Sequence, residues 1–292
     1  MSETGKKKIT ATILTAATAA YAVLFAAATA AVLWQGLAVR VYTIQTNKLK
    51  SPVRIALLTD LHGSFYGSGQ KNLIKALRRQ NPDLVVLSGD TFDEYTTDDR
   101  AKRLLSALSA FYPCFYVTGN HENWRRDTAA VKEWVRKCGI TVLEGTGQTV
   151  TINGQGIDVF GVDDPEAFLG SSYSQNRVGS GWYRQFEACR AALENGRFSI
   201  LLSHRPEQVA SYSGSGFDLV LAGHAHGGQV RVPGIVNGLY APNQGLFPPF
   251  AGGLYELENT DLVVSRGLCK NVVPRVFNPP ELVMVDVVPV MR

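Results

Sequence analysis

A short apolar run recurs along the chain, and each copy leads directly into polar residues. In the first half these runs occupy residues 54–59, 83–88 and 114–118, and the segments 70–80 and 98–111 between them carry apolar residues at helical spacing. Alternating strands and helices form βαβ units, whose strands are parallel. The pattern therefore predicts an α/β fold built on a parallel sheet.

The second half of the chain repeats this arrangement. Residues 198–203 lead into His204, and residues 217–222 lead into Gly223-His224-Ala225-His226. In open α/β sheets ligands bind at the carboxyl ends of the strands, so we expect the polar clusters to converge on one site. Other β-rich regions are expected to form sheet margins, namely residues 148–161, the segment after Gln229, and residues 262–265 with 282–287.

The N-terminal segment is apolar without interruption, since Ile9 to Val39 is a run of 31 residues that contains no charge. A transmembrane helix needs about 20 apolar residues. Ala28-Thr29-Ala30 resembles a signal-peptidase site, but apolar sequence continues beyond it, which favours an uncleaved anchor over a cleaved signal peptide or a buried core helix. The predicted organisation is a basic flank at 1–8, a transmembrane anchor at 9–39, a linker at 40–50 and a folded domain at 51–292.

The flanking charges set the expected orientation of this anchor. Three lysines at 6–8 precede it, and four more dispersed basic residues follow it, at 40, 48, 50 and 54. The tighter N-terminal cluster favours a cytoplasmic N-terminus, and therefore a single-pass protein of the cell membrane with its domain outside the cytoplasm. The formal charge of +4 is spread along the chain without a basic stripe, so neither a nucleic-acid partner nor an obligate protein partner is expected.

The chain contains five histidines, and each closely follows a predicted strand. An isolated Asp-x-His such as Asp60-Leu61-His62 is more often a turn or a cap, and a lone histidine such as His204 is more often a core residue. Chance would scatter some of the five elsewhere. Their joint placement, with Asp90 at another strand end and Asn120 beside His121, therefore predicts a metal centre.

Taken in order, Asp-x-His, Gly-Asp, Gly-Asn-His-Glu, a single His and Gly-His-x-His resemble the calcineurin-like metallophosphoesterase superfamily over residues 50–292. The resemblance implies a four-layer αββα sandwich. The N-terminal anchor, the Gly-Gly-Gln extension after His226 and the tail from Ser265 to Glu281 resemble the bacterial membrane-associated branch. That branch includes broad phosphodiesterases and a UDP-2,3-diacylglucosamine pyrophosphohydrolase of lipid A synthesis.

The same resemblance implies a role for each polar residue. One metal would be held by Asp60, His62 and His226. The second would be held by Asn120, His204 and His224. Asp90 would bridge the two metals, and His121 would stabilise or protonate the departing oxygen, oriented by Glu122 or a neighbouring carboxylate. Two departures, Ala225 for a common threonine and Cys269 for a common glycine, remove no ligand but put the local loop geometry in doubt.

The expected protein is a membrane-anchored dinuclear phosphoesterase, a phosphodiesterase that attacks the phosphoryl group with a metal-activated water. Carboxylate, imidazole and amide ligands favour Mn, Fe or Zn as the two divalent ions. The expected substrate is a phosphoester, including lipid-linked ones. The alternatives are the UDP-2,3-diacylglucosamine pyrophosphohydrolase and, more distantly, a non-catalytic membrane adaptor. Candidate substrate-binding cations are Arg205, Arg231 and Arg275, together with Arg125 and Arg126.

Overall fold

Strands outnumber helices in this computed structural model, which describes residues 3–125, 127–169, 178–270 and 273–290. In chain order they are β1 (Ala38–Thr46), β2 (Val53–Leu58), β3 (Leu84–Ser88), β4 (Cys114–Val117), β5 (Thr141–Val142), β6 (Thr146–Ile152), β7 (Gln155–Gly161), β8 (Phe198–Leu202), β9 (Leu219–Ala222), β10 (Tyr240–Ala241), β11 (Gly245–Leu246), β12 (Gly253–Leu257), β13 (Thr260–Val264) and β14 (Glu281–Pro289). The α-helices are α1 (Glu3–Val32), α2 (Lys71–Gln80), α3 (Asp99–Ser109), α4 (Asn120–Trp124), α5 (Thr128–Lys137), α6 (Ser180–Ala191) and α7 (Val209–Tyr212).

Two six-stranded sheets organise these elements. The first has the order β1-β14-β2-β3-β4-β5, and β2 to β5 are parallel in it, which confirms the predicted βαβαβ unit. The second has the order β12-β13-β9-β8-β7-β6, with β13, β9, β8 and β7 parallel. Because β2, β3, β4, β8 and β9 are each followed by one of the polar clusters, both sheets carry their polar residues at the carboxyl ends of parallel strands.

The hydrophobic core has three parts that correspond to the layers of the fold. Between the sheets, side chains such as Leu57 and Val86 pack with Ile200 and Leu221. On the outer face of the first sheet, α2, α3 and α5 bury apolar residues, and α6 and α7 do so on the second sheet. Alternate residues of each buried strand point to opposite faces, so one strand supplies both cores. The four-layer αββα sandwich is thus confirmed.

Two boundaries differ from the sequence prediction. Residues 38–46 form β1, which pairs in parallel with β14 over its whole length, so the predicted linker at 40–50 is wrong for residues 40–46. Backbone pairing along a sheet edge overrides the polar composition that suggested a linker. Residues 282–287 are not a margin either, since β14 lies between β1 and β2 inside the first sheet.

Helix α1 is the one described helix long and apolar enough to cross a membrane. Its candidate span is Thr12–Val32, 21 residues with a mean hydropathy of 1.8, and none of that window is buried against the rest of the chain. The helix ends at Val32, seven residues before the predicted end of the span at Val39, because strand β1 has already begun at Ala38. A buried core helix, one of the alternatives, is therefore excluded for these residues.

Candidate metal centre

The loops after β2, β3, β4, β8 and β9 bring the predicted ligands together. Asp60, His62, Asp90 and His226 place one ligand atom each within 4.8 Å of one another, and Asp90, His204 and His224 do the same. Asp90 belongs to both groups, with Oδ2 3.1 Å from His204 Nε2 and 3.5 Å from His62 Nε2. The arrangement thus consists of two adjoining ligand groups that share one carboxylate.

The ligand atoms at the centre of this cluster are buried and lack hydrogen-bond partners among the described residues. They are Asp60 Oδ2, His62 Nε2, Asp90 Oδ2, Asn120 Oδ1 and His204 Nε2. Burying an unpaired polar atom is costly, and folded proteins normally satisfy such atoms. A set of lone pairs pointing inward, all of oxygen or imidazole nitrogen, is what borderline divalent cations bind. The residues present therefore fit a metal centre.

Hydrogen bonds to the opposite side of each ring fix which imidazole nitrogen faces the cluster. His62 Nδ1 lies 2.8 Å from Asp93 Oδ2, and His204 Nδ1 donates to the Ser88 carbonyl oxygen at 2.8 Å. His224 Nε2 lies 2.9 Å from Asn243 Oδ1 and 3.1 Å from Arg205 Nη1. Because these partners hold one nitrogen of each ring, the other nitrogen faces the cluster and is the one that would bind a metal.

The surroundings raise the pKa of one ligand histidine and lower the pKa of two others. Burial would lower the pKa of His204, but Asp90 opposes it and raises the pKa to about 10. Burial lowers the pKa of His226 to about 3 against the opposing field of Asp60, and it lowers the pKa of His224 together with Arg205 and His204. Burial also opposes ionisation of Asp90, yet His204 and His62 hold the pKa of its carboxyl well below the usual range. The shared carboxylate is thus charged in this environment.

Close backbone approach explains the glycines of two motifs. A Cβ on Gly119 would lie 2.2 Å from Asp90 Oδ1, and one on Gly223 would lie 2.6 Å from Asp60 Oδ2. Both distances are far inside van der Waals contact, so only glycine fits beside these two carboxylates. The glycines serve to admit the carboxylates into the centre.

Glu122 joins the loop after β3 to the loop after β4. It is fully buried, and its Oε1 accepts backbone N–H groups of Thr91 and Phe92 at 2.7 and 2.9 Å. Its Oε2 accepts those of Asp90 and Gly119 at 2.9 and 2.8 Å. Glu122 is therefore neither a solvated surface residue nor the partner of His121. The spacing of Gly119 and Glu122, that of a helix cap and its third residue, was the available signal.

A neighbouring carboxylate holds His121 instead. His121 Nδ1 lies 2.7 Å from Glu94 Oε2 and 3.5 Å from Asp93 Oδ2, and its backbone N–H donates to Asp90 Oδ1 at 2.9 Å. The side chain is 20% exposed, more than the ligand histidines, and it stands edge-on to His62. Its ring is thus oriented by a carboxylate, and part of it stays exposed to solvent.

Two of the predicted substrate-binding arginines are buried and already bonded to other protein groups. Arg205 is buried, and its guanidinium is held by Asp164 at 2.5 and 2.9 Å and by Asn243 at 2.6 Å. Arg275 is fully buried and donates to the carbonyl oxygens of Cys269, Gly267, His226 and Arg266. Both are occupied in holding loops together, because a buried guanidinium must satisfy its donors internally.

Two further candidates, Arg231 and Arg125, do not line the described cleft beside the cluster. Arg231 is half-buried and is not among the described residues that line the cleft beside the cluster. Arg125 pairs with Asp98 and Asp127 at 2.7 and 2.8 Å, and Arg126 lies outside the described residues. In the sequence, these arginines were candidates by residue type alone, and residue type does not show which side chains are already paired.

An open cleft of about 830 Å³ lies beside the cluster, with His62, His121 and His226 in its wall. Its cations are Arg100, which donates to the Gly63 carbonyl at 2.7 Å, and Lys270, which donates to the Phe65 carbonyl at 3.1 Å. Sequence reasoning missed both, since neither belongs to a ligand motif. The remaining wall includes the apolar side chains Phe65, Tyr240 and Pro242. The cleft therefore combines the candidate ligands with two cations and an apolar rim.

The chain is similar in sequence to one known family and to several metallophosphoesterases. The family model for calcineurin-like phosphoesterases matches residues 53–228. An uncharacterized metallophosphoesterase of Campylobacter jejuni is 34% identical over 251 residues, which are 83% of this chain and 61% of that protein, so the chain spans less than two thirds of this relative. An uncharacterized metallophosphoesterase of Aquifex aeolicus is 30% identical over 86% of this chain and 92% of its own length. The phosphodiesterase YaeI of Escherichia coli is 27% identical over 82% and 83%.

Proposed function

The chain belongs to the calcineurin-like phosphoesterase family and is a metal-dependent phosphoester hydrolase, and we propose that it cleaves phosphodiesters at a two-metal centre anchored to a membrane by α1. The observation that carries the proposal is the set of buried ligand atoms without partners, which belong to the residues the motifs single out. If these side chains packed in the core without binding a metal, several buried lone pairs would have no partner.

The two metal ions would divide the ligands between them. Asp60, His62 and His226 would hold one. Asn120, His204 and His224 would hold the other. Asp90 is the residue common to both ligand groups and would lie between the ions. Two bound cations supply charge neutralisation at the phosphoryl oxygens and a water of lowered pKa.

His121 is the proposed proton donor to the departing oxygen. It lines the cleft, has its Nδ1 engaged by Glu94 and is the most exposed of the four histidines whose rings contact a carboxylate. That bond fixes the ring, so that Nε2 is the nitrogen free to serve the substrate. A poor alkoxide leaving group needs such a donor, and His121 would supply it from beside the ligand cluster.

The shape and lining of the cleft favour a diester over a monoester. A diester carries one charge and two organic substituents, and the wall offers apolar surface at Phe65 and Tyr240 beside the cations Arg100 and Lys270. The phosphodiesterase named among the relatives supports the same substrate class. Lys270 and Arg100 would bind the anionic oxygen, and the apolar rim would bind an ester substituent.

The test uses the full-length protein in detergent, loaded separately with Mn, Fe or Zn, with metal content and turnover measured together. We expect hydrolysis of bis(p-nitrophenyl) phosphate to exceed that of p-nitrophenyl phosphate. His121→Ala should lower turnover by roughly 100-fold or more while keeping the metal content of the wild type. Asp90→Asn should lose metal, whereas Asp99→Asn, an exposed carboxylate on α3, is the matched control and should behave as wild type.

Several results would contradict the proposal. Full activity in purified Asp90→Asn protein would refute a bridging carboxylate, and loss of metal in His121→Ala would refute its role as proton donor. UDP-2,3-diacylglucosamine belongs in the same assay, and faster turnover of it than of the diester would replace the phosphodiesterase assignment with the pyrophosphohydrolase. Protease treatment of spheroplasts tests the proposed topology, since a domain outside the cytoplasm is cleaved and one inside is protected.

A further inference from the structure

An exposed apolar surface follows the Gly-His-x-His loop. Its members share high exposure and large apolar side chains, with Ile235 82% and Leu246 68% exposed. We call this surface the apolar platform, made of Val232, Ile235, Leu239, Tyr240, Leu246, Phe247, Val273 and Phe277. Phe247 and Phe277 hold left-handed φ values of 53° and 49°, which are strained for bulky residues. The fold thus presents these rings outward at an energetic cost, and contiguous apolar surfaces of this kind mark interaction sites.

The apolar platform continues directly from the end of α1. The Phe277 backbone N–H donates to the Val32 carbonyl at 2.8 Å, and Gln35 Nε2 donates to the Arg275 carbonyl at 3.0 Å. Val32 is also the last residue of the candidate membrane span. The next residues, Leu33 and Trp34, are exposed apolar side chains as well. The platform therefore lies where a membrane-spanning α1 would leave the bilayer.

The other side of the platform adjoins the catalytic cleft. The Phe247 N–H donates to the Leu239 carbonyl at 2.8 Å, and the Leu239 N–H donates to the Gly228 carbonyl at 2.9 Å, two residues after the candidate ligand His226. Tyr240 is both a platform residue and a wall of the cleft. A backbone hydrogen-bond network thus ties the platform to the ligand loop.

Positive charge surrounds the junction between α1 and the platform. Burial lowers the pKa of Arg231, and the neighbouring Arg266 and Arg40 lower it further. Arg40 is half exposed and is only 3.9 Å from Glu281, which it shares with Arg266. Three guanidinium groups around one carboxylate leave a net positive charge, and basic residues beside a membrane span attract anionic headgroups.

We propose that the apolar platform rests in the interfacial layer of the bilayer that α1 enters, so that the cleft opens onto the lipid headgroups. The inference rests on the proposed anchoring by α1. It names the substrate class of the same site as phosphodiesters within lipid headgroups, which reach the cleft by lateral diffusion. Amphipathic surfaces bind bilayers through buried apolar area and charge attraction, and the platform with its arginines offers both.

Fluorescence of the full-length protein in liposomes of phosphatidylcholine and phosphatidylglycerol tests the contact. An environment-sensitive dye is attached at Ile235→Cys and, as the matched control, at Thr151→Cys. Thr151 is an exposed residue of β6 that pairs with Gly156 near the amino end of β7, and it thus lies at the end of the second sheet opposite the ligand loops. Wild-type protein treated with the same dye gives the background from its four native cysteines. We expect a blue-shifted emission, quenched by brominated lipid, only at position 235.

Matching emission at the two positions would overturn the proposal. Intermolecular disulfide formation by Ile235→Cys, without lipid quenching, would assign the surface to a second copy of the chain and would overturn it equally. Flotation of the wild type with the liposomes is measured in parallel. If the chain does not float, anchoring by α1 fails and the platform proposal fails with it, whereas the metal centre is unaffected.

The functional consequence is tested with the variant Ile235→Ser/Leu246→Ser, whose positions do not line the cleft. We expect its hydrolysis of a phosphodiester lipid in vesicles to fall at least about tenfold, while its turnover of soluble bis(p-nitrophenyl) phosphate equals that of the wild type. If the variant hydrolysed both substrates as fast as the wild type does, the proposal would be overturned. If the wild type hydrolysed neither the vesicle lipid nor bis(p-nitrophenyl) phosphate, the phosphodiesterase assignment itself would be refuted. The two failures are therefore distinguishable.

Discussion

Replacing Glu122 with glutamine should destabilise the metal centre more than the loss of one charge suggests. An amide keeps one acceptor oxygen and replaces the other by an NH₂ group that cannot accept. Whichever oxygen is replaced, two backbone N–H groups lose their acceptor, either those of Thr91 and Phe92 or those of Asp90 and Gly119. In the variant, two buried backbone N–H groups thus face the amide NH₂ group, which is itself a donor and cannot accept their hydrogen bonds.

The magnitude follows from these four bonds. Each hydrogen bond to a charged group contributes about 1.5–3 kcal/mol, so the loss of two costs about 3–6 kcal/mol. Burial and Asp90 raise the pKa of Glu122, so the neutral amide recovers part of the cost of burying a charge. We therefore expect the free energy of unfolding of Glu122→Gln to fall by about 2–4 kcal/mol, against the 5–15 kcal/mol typical of a folded domain.

Urea unfolding of the metal-loaded protein in detergent, followed by tryptophan fluorescence, measures this change. Glu133→Gln is the matched control, because Glu133 is 57% exposed and pairs with Lys137 at 3.3 Å on the helix surface. It should change the free energy of unfolding by less than about 0.5 kcal/mol. A Glu122→Gln protein as stable as this control, with wild-type metal content, would falsify the reasoning that Glu122 holds the two ligand loops together.

Three further outcomes follow from the contacts around the centre. Glu94→Gln should lower turnover about tenfold or more at unchanged metal content, because the amide orients His121 poorly; a steady-state rate equal to the wild type would remove Glu94 from this role. Arg205→Ala should lower the free energy of unfolding by about 3–5 kcal/mol, since Asp164 stays buried without its cation, and a change below about 1 kcal/mol in urea titration would contradict this. Chelation should lower the melting temperature, and added divalent metal should restore it; calorimetry that shows no difference would argue against a bound metal.

The parallel strands and the helices between them were predictable because their signals are local. Apolar runs such as 83–88 and helical spacing such as 98–111 report buried strands and packed helices, and parallel pairing follows from their alternation. The polar clusters were predictable for the same reason, since a parallel sheet brings its carboxyl ends to one edge. Strand β1 was not, because its pairing partner β14 follows more than 200 residues later and leaves no local mark.

The partners of the ligands were harder to predict than the ligands. Glu94 and Asn243 hold rings at the centre, yet one lies in an irregular loop and the other lies 19 residues after the histidine it contacts. The arginines show the limit most directly. Arg205 follows a candidate ligand and has the chemistry to bind phosphate, but Asp164 already occupies its guanidinium. Availability of a side chain depends on tertiary pairing, and composition carries no record of it.

The backbone of the centre explains why these ligand loops are built as they are. Five candidate ligands, Asp60, His62, Asp90, His224 and His226, adopt left-handed φ values between 44° and 66°. Such conformations cost about 1–3 kcal/mol each in residues other than glycine, and aspartate and histidine tolerate them better than most. The strands fix both ends of each loop, so the chain must turn back sharply to aim a side chain inward. The residues that bind metal are thus also among the few that this backbone permits, and packing of the two sheets must offset the strain that aims them.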